Sequence, residues 1–164
     1  MIVWLLRHGT AEDSAKDGED ASRALTIEGS SRLLRAAPAW QRAVQHVATV
    51  YVSPLLRAQQ TGHIFAKATG IKSPLITTPI LLPSARPMLA LAQIDTELKA
   101  GRQAIACIGH EPHLGCLLGL LLTGSERASL PFKKGLLVGV DFDSQNRPIG
   151  RLVFAMSTHL AASF

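Results

Sequence analysis

The sequence predicts an α/β protein, a three-layer α/β/α sandwich built on a mostly parallel mixed sheet. Three observations carry that prediction. Residues 2–6, Val47–Val52 and 104–108 are short runs rich in β-branched residues and apolar on both faces, the pattern of strands covered by helices on each side. The segments between them carry apolar residues at helical spacing. The last part of the chain instead has two apolar runs, 135–142 and 150–156, separated by the polar hexapeptide Asp143-Ser144-Gln145-Asn146-Arg147-Pro148, which reads as a hairpin.

Taken in order, the first strand is Ile2-Val3-Trp4-Leu5-Leu6, and it hands over to Arg7-His8-Gly9. An irregular stretch, 11–21, follows. Thr26 then suits the N-cap of a helix whose apolar positions Leu33, Ala37, Trp40 and Val44 recur at spacings of three and four, with Pro38 expected to bend or shorten it. After the second strand, Ser53-Pro54 reads as an N-cap with proline at the first helical position, opening a helix that Gly70 closes. Residues 71–87 form a second irregular stretch, and both irregular stretches are candidate substrate-facing loops. Helices are expected over about 86–100, ending at Gly101, and about 113–122, ending at Gly124.

A chain of 164 residues fits one domain, 1–164, able to bury roughly two thirds of its unfolded surface. Cys107 and Cys116 match no metal motif or disulfide framework, which points to a reduced, cytoplasmic setting. The first apolar run is too short for a signal peptide or a membrane span, and the run 114–122 fails likewise, so the expectation is a soluble protein with no membrane partner. The net charge of +5 favours acidic or phosphorylated partners. With aromatics at 5% and no basic run interleaved with them, a nucleic-acid partner is not expected.

Three of the predicted strands end alike, each followed by a cationic or imidazole group: Arg7-His8, Arg57 after Ser53-Pro54, and His110 after Gly109. Beyond the carboxyl ends of strands in an open α/β sheet these groups share one crevice. Arg57 falls in the first turn of its helix, where free backbone N–H groups already favour an anion. Two arginines grip a phosphoryl group through paired hydrogen bonds, and fixed cations stabilise the charge that a transferring phosphoryl group carries. Histidine with one unprotonated ring nitrogen is a competent nucleophile.

Arg7-His8-Gly9, then Ser53-Pro54-Leu55-Leu56-Arg57-Ala58 with Thr61, then Gly109-His110 resembles the histidine phosphatase superfamily, of phosphoglycerate-mutase-like fold. Arg23-Ala24-Leu25-Thr26 with Gly29, Gly109-His110-Glu111-Pro112 and Lys133-Lys134-Gly135 look like its SixA-type phosphohistidine phosphatases. The resemblance implies that His8 is the residue phosphorylated, that Arg7, Arg57 and His110 complete the catalytic phosphate pocket, and that Arg23 is a fourth phosphate contact, although Ala24 stands where proline is common. It implies a metal-independent phosphatase without a cofactor, acting on a phosphohistidine-containing protein such as a phosphotransfer domain. Larger relatives draw a carboxylate general acid from a middle loop; here residues 81–87 contain none, which suits a labile phosphoramidate leaving group. Glu12, Asp13 and Glu111 stay open as acids.

Simpler readings stand beside these. Arg7 and His8 alone could be a surface pair, and His110-Glu111-Pro112-His113 invites a metal, but Pro112 and the missing fifth-position histidine break the zinc-protease pattern. His113 reads as a helix-start residue near the pocket mouth; His46, His63 and His159 read as surface or satisfied core groups. Cys107 has His113 where a cysteine phosphatase needs arginine, and Asp141-Phe142-Asp143 lacks the threonine or valine of an aspartate-nucleophile phosphatase. Lys133-Lys134 either faces an acidic partner or is simply solvated. A small-molecule phosphomonoesterase and a non-catalytic phosphate-binding module remain as alternatives.

Overall fold

A computed structural model describes residues 1–142 and 149–161. Six strands form one sheet: β1 (Ile2–Arg7), β2 (Val47–Val52), β3 (Leu75–Thr77), β4 (Ala104–Gly109), β5 (Leu137–Asp141) and β6 (Arg151–Met156), in the order β3-β2-β4-β1-β5-β6. The first four are mutually parallel, whereas β5 runs antiparallel to both β1 and β6. The helices are α1 (Ile27–Ala43), α2 (Leu56–Thr69), α3 (Pro87–Lys99), α4 (His113–Thr123) and α5 (Thr158–Ala161).

The alternation of side chains along each strand sorts the core into two apolar layers. Trp4, Leu6, Val50, Val52, Ala106 and Ile108 pack with Leu33 and Trp40 of α1 and Phe65 of α2. On the other face, Val3, Leu5, Tyr51, Ile105 and Cys107 pack with Ala90 and Ile94 of α3 and with Leu114, Leu117 and Leu121 of α4. Trp40 and Phe65, with ring centroids 5.7 Å apart, join α1 to α2. The fold class and its three layers are therefore as expected.

Thr26 caps α1, its hydroxyl accepting from Gly29 N at 2.8 Å. Pro38 does not shorten the helix, which continues to Ala43. Its missing N–H leaves the carbonyl of Leu34 without its i+4 helical donor, at an exposed position of the helix. Ser53 does not cap α2. The helix begins at Leu56, two residues after Pro54, with Leu55 as its N-cap.

Residues 71–87 hold what sequence periodicity missed, the edge strand β3 of three residues and a short 3₁₀ turn, Pro79–Leu81. Helix α5 was also not anticipated, and four residues are too few to show a period. Strands β5 and β6 pair as the hairpin reading expects, while its connector, 143–148, lies outside the described residues.

Two close approaches depend on glycine. A Cβ on Gly29, in the first turn of α1, would stand 2.1 Å from the backbone oxygen of Thr10, which locks the loop after β1 against that turn. Gly115 and Gly119, one turn apart on α4, admit a backbone segment: a Cβ there would meet Leu130 O at 2.5 Å and Ala128 O at 2.2 Å. That segment continues as a strap, 130–135, toward the end of β1.

Candidate active site

The register of the sheet brings the end groups of three strands level. Arg7 of β1 lies opposite Gly109 of β4, Val52 of β2 opposite Ile108, and His8 N and Ser53 N donate to Gly109 O and Ile108 O at 3.1 and 3.0 Å. His8, Ser53, Arg57 and His110 are all buried there. The imidazoles of His8 and His110 stand 4.9 Å apart, centroid to centroid. Thr61 braces the group, accepting from Gly9 N at 3.2 Å and donating to Arg57 O at 2.7 Å, which ties α2 to the residue after His8.

His8 Nδ1 lies 2.6 Å from Gly9 O. A carbonyl only accepts, so Nδ1 carries the proton and Nε2 presents a lone pair. Burial is the main cause that pushes the His8 pKa down to about 4, joined by the charges of Arg57, Arg7 and Lys134 and opposed by the bond to Gly9. At neutral pH the ring is unprotonated at Nε2.

His110 Nε2 sits 2.7 Å from Ser53 Oγ, while its Nδ1 is buried with no partner. Burial, followed by His8 and Arg57, pushes its pKa down to about 3, with Asp20 opposing. Arg7 donates from Nη1 to Phe132 O at 2.6 Å, and its Nε is likewise buried and unpartnered. Arg7 Nε is an N–H donor facing no acceptor, and His110 Nδ1 is a second one in the tautomer whose Nε2 accepts from the Ser53 hydroxyl.

Arg57 is only 7% exposed, and its guanidinium is held by one residue that sequence reasoning missed. Nη1 donates to Asp20 O at 2.7 Å and Nη2 to Asp20 Oδ2 at 2.9 Å. The other carboxylate oxygen of Asp20 accepts from Arg23 Nη1 at 2.7 Å, while Arg23 Nε donates to Glu12 O. Arg23 thus joins Arg57 through a shared carboxylate, and the two guanidinium groups hold the Asp20 pKa below its ordinary value. The available signal was the spacing of Asp20 and Arg23, three residues apart, at the end of a loop already marked as substrate-facing.

Of the candidate acids, Glu111 spends its two oxygens on the backbone amides of Gly115 and Phe132, at 3.1 Å each, stapling the strap to α4. Glu12 and Asp13 are exposed, and no hydrogen bond among the described residues ties either carboxylate to the pocket. His113 is the first residue of α4, as expected, but it is buried with neither ring nitrogen paired, and burial lowers its pKa to about 4. Cys107 is buried on β4, its thiol pushed up to about 12, which makes it a poor nucleophile. Among the described residues no group of three or more His, Cys, Asp or Glu is placed to hold a metal ion, and no helix is long and apolar enough to cross a membrane.

Residues 3–82 match the family model of the histidine phosphatase superfamily, branch 1. The chain is 31% identical to an uncharacterized protein of Picosynechococcus sp. over 140 residues, 85% of this chain and 84% of that one. It is 32% identical to the phosphohistidine phosphatase SixA of Escherichia coli over 128 residues, 76% of each chain. Among solved structures, the protein histidine phosphatase SixA complexed with tungstate superposes with a TM-score of 0.85 at 28% identity, covering 97% of this chain and 98% of that one.

Proposed function

Since this chain belongs to the histidine phosphatase superfamily and is SixA-like within it, we propose that it removes phosphate from phosphohistidine on a protein, through a covalent intermediate on His8. The observation that carries the reading is the His8 tautomer: Nδ1 is spent on Gly9 O, so Nε2 is free to attack among Arg7, Arg57 and His110.

In the first step Nε2 of His8 forms a bond to phosphorus while the N–P bond of the substrate breaks, and the departing imidazole takes up a proton from solvent water. One imidazole–phosphorus bond replaces another, so the step is close to thermoneutral and needs less acid catalysis than expulsion of an alcohol. That fits a pocket without a positioned carboxylic acid. In the second step water attacks the phosphorus, the P–Nε2 bond breaks, and inorganic phosphate leaves with one proton of that water while the other passes to solvent, which restores the Nε2 lone pair.

Arg7, Arg57 and His110 grip the phosphoryl oxygens in both steps. The unpartnered Nδ1 of His110 and Nε of Arg7 suit this role, with the Ser53 hydroxyl donating to His110 Nε2 so that Nδ1–H points its proton at the phosphoryl group. Fixed cations supply the charge stabilisation that metal ions provide in other phosphoryl-transfer enzymes. Arg23 is the fourth contact at the edge of the pocket, linked to Arg57 through Asp20. The partner is a phosphohistidine-bearing protein, with a phosphotransfer domain as the preferred class.

The test is release of phosphate from a histidine-phosphorylated phosphotransfer domain, with a phosphoserine protein, an aryl phosphate and a sugar phosphate in parallel. Release confined to phosphohistidine and lowered about a thousandfold or more in His8→Ala is expected. Preference for the aryl or sugar phosphate would instead assign a small-molecule phosphatase, and binding without turnover a phosphate-binding module.

A further inference from the structure

Next to the phosphoryl pocket, and sharing Arg7 with it, lies a cleft of about 340 Å³. Its lining brings together Arg32 of α1, Lys133, Lys134 and Gly135 of the strap and Thr158 of α5 with Arg7, which directly precedes the candidate nucleophile His8. The strap is fixed at both ends of its dilysine. Phe132 is buried and its carbonyl accepts from Arg7 Nη1 at 2.6 Å; Gly135 N is shared between Arg7 O and His8 O at 3.1 and 3.2 Å. The two lysines are thereby presented next to the nucleophile, exposed, and neither forms an ion pair or a hydrogen bond among the described residues. Arg32, also in the lining, is 57% exposed and shares Glu28 with Arg35.

We infer that this cleft is a docking site for acidic side chains that flank the phosphohistidine on a folded protein partner. The inference rests on the proposed phosphohistidine activity and names the recognition that goes with it. The character of the cations favours this over a second phosphate site on a small substrate. In the phosphoryl pocket His8, Arg57 and His110 are buried and Arg7 is half-buried, whereas Lys133, Lys134 and Arg32 of the cleft are exposed. Such groups give long-range, salt-sensitive attraction to a charged surface and little rigid coordination.

The experiment compares kcat/KM on a histidine-phosphorylated phosphotransfer domain that carries acidic residues beside its histidine with kcat/KM on free phosphohistidine, at low salt and at about 0.3 M salt. Lys133→Glu and Arg32→Gln are expected to lower the protein-to-free ratio by about three- to tenfold at low salt, with the loss disappearing at high salt. Neutralising the acidic residues of the partner should reproduce the effect. A ratio unchanged in both variants, or an equal fall on both substrates, overturns the docking site while leaving the activity standing. Turnover of free phosphohistidine but not of the protein by the unsubstituted enzyme overturns the proposed protein substrate and the docking site with it.

Discussion

Replacing Asp20 with asparagine tests whether Arg57 must be held in place for the reaction. The substitution keeps the backbone contact from Arg57 Nη1 to Asp20 O but removes the charge that two guanidinium groups share. A hydrogen bond to a charged group is worth about 1.5–3 kcal/mol. The Asp20 side chain is 58% exposed, so solvent screening lowers this to about 1–1.5 kcal/mol, about a five- to twelvefold change in rate. The loss should fall on kcat, because Arg57 is needed most where phosphoryl charge is greatest. Affinity for inorganic phosphate should hold or rise, since the pocket has gained one net positive charge. Initial rates on phosphohistidine, with product inhibition by phosphate, separate the two. A kcat within about twofold of the parent in a folded Asp20→Asn protein would refute the view that this carboxylate orients Arg57.

Arg57→Lys should cost about ten- to a hundredfold in kcat/KM, measured on the same substrate, because an ammonium cannot hold Asp20 and a phosphoryl oxygen through one planar fork. Gly29→Ala should destabilise by about 3 kcal/mol in urea unfolding, since the added methyl meets the backbone oxygen of Thr10 and not a movable side chain. Activity should persist well below pH 6.5, its acid limb in kcat/KM set by protonation of His8 near its lowered pKa of about 4. Stability should nonetheless fall across that window. An unfolded histidine binds its proton near pH 6.5 while buried His113 stays neutral down to about 4, so the unfolded state takes up more protons as pH drops. For His113 alone this amounts to roughly 3 kcal/mol below pH 4, and His113→Leu should flatten the pH dependence of the urea midpoint.

The layers of the fold were legible because buried parallel strands are apolar on both faces and the helices between them have one apolar stripe. Arg7, His8, Arg57 and His110 were legible for a related reason: each follows a recognisable strand, and the register makes strand ends into neighbours. Asp20 was not, because it lies in a loop without period and its meaning comes only from Arg57, 37 residues away. Ser53 was misread as a helix cap because its type fits one; its hydroxyl is taken by His110 instead, a contact across two strands that local spacing does not encode. Edge strand β3 escaped because three residues paired on one side have too little apolar pattern to register.

The bond from His8 to Gly9 separates two properties that histidine usually carries together. When a carboxylate fixes the tautomer of an imidazole, it also stabilises the imidazolium and makes the ring a better proton acceptor, which suits a general base. An uncharged peptide oxygen from the next residue fixes the same tautomer with far less electrostatic reward for protonation. That arrangement suits the proposed bonding of the ring to phosphorus better than proton shuttling. A single glutamate or aspartate introduced within reach of Nδ1 would push it toward the other trade, acid–base chemistry, and away from the nucleophile role proposed for it.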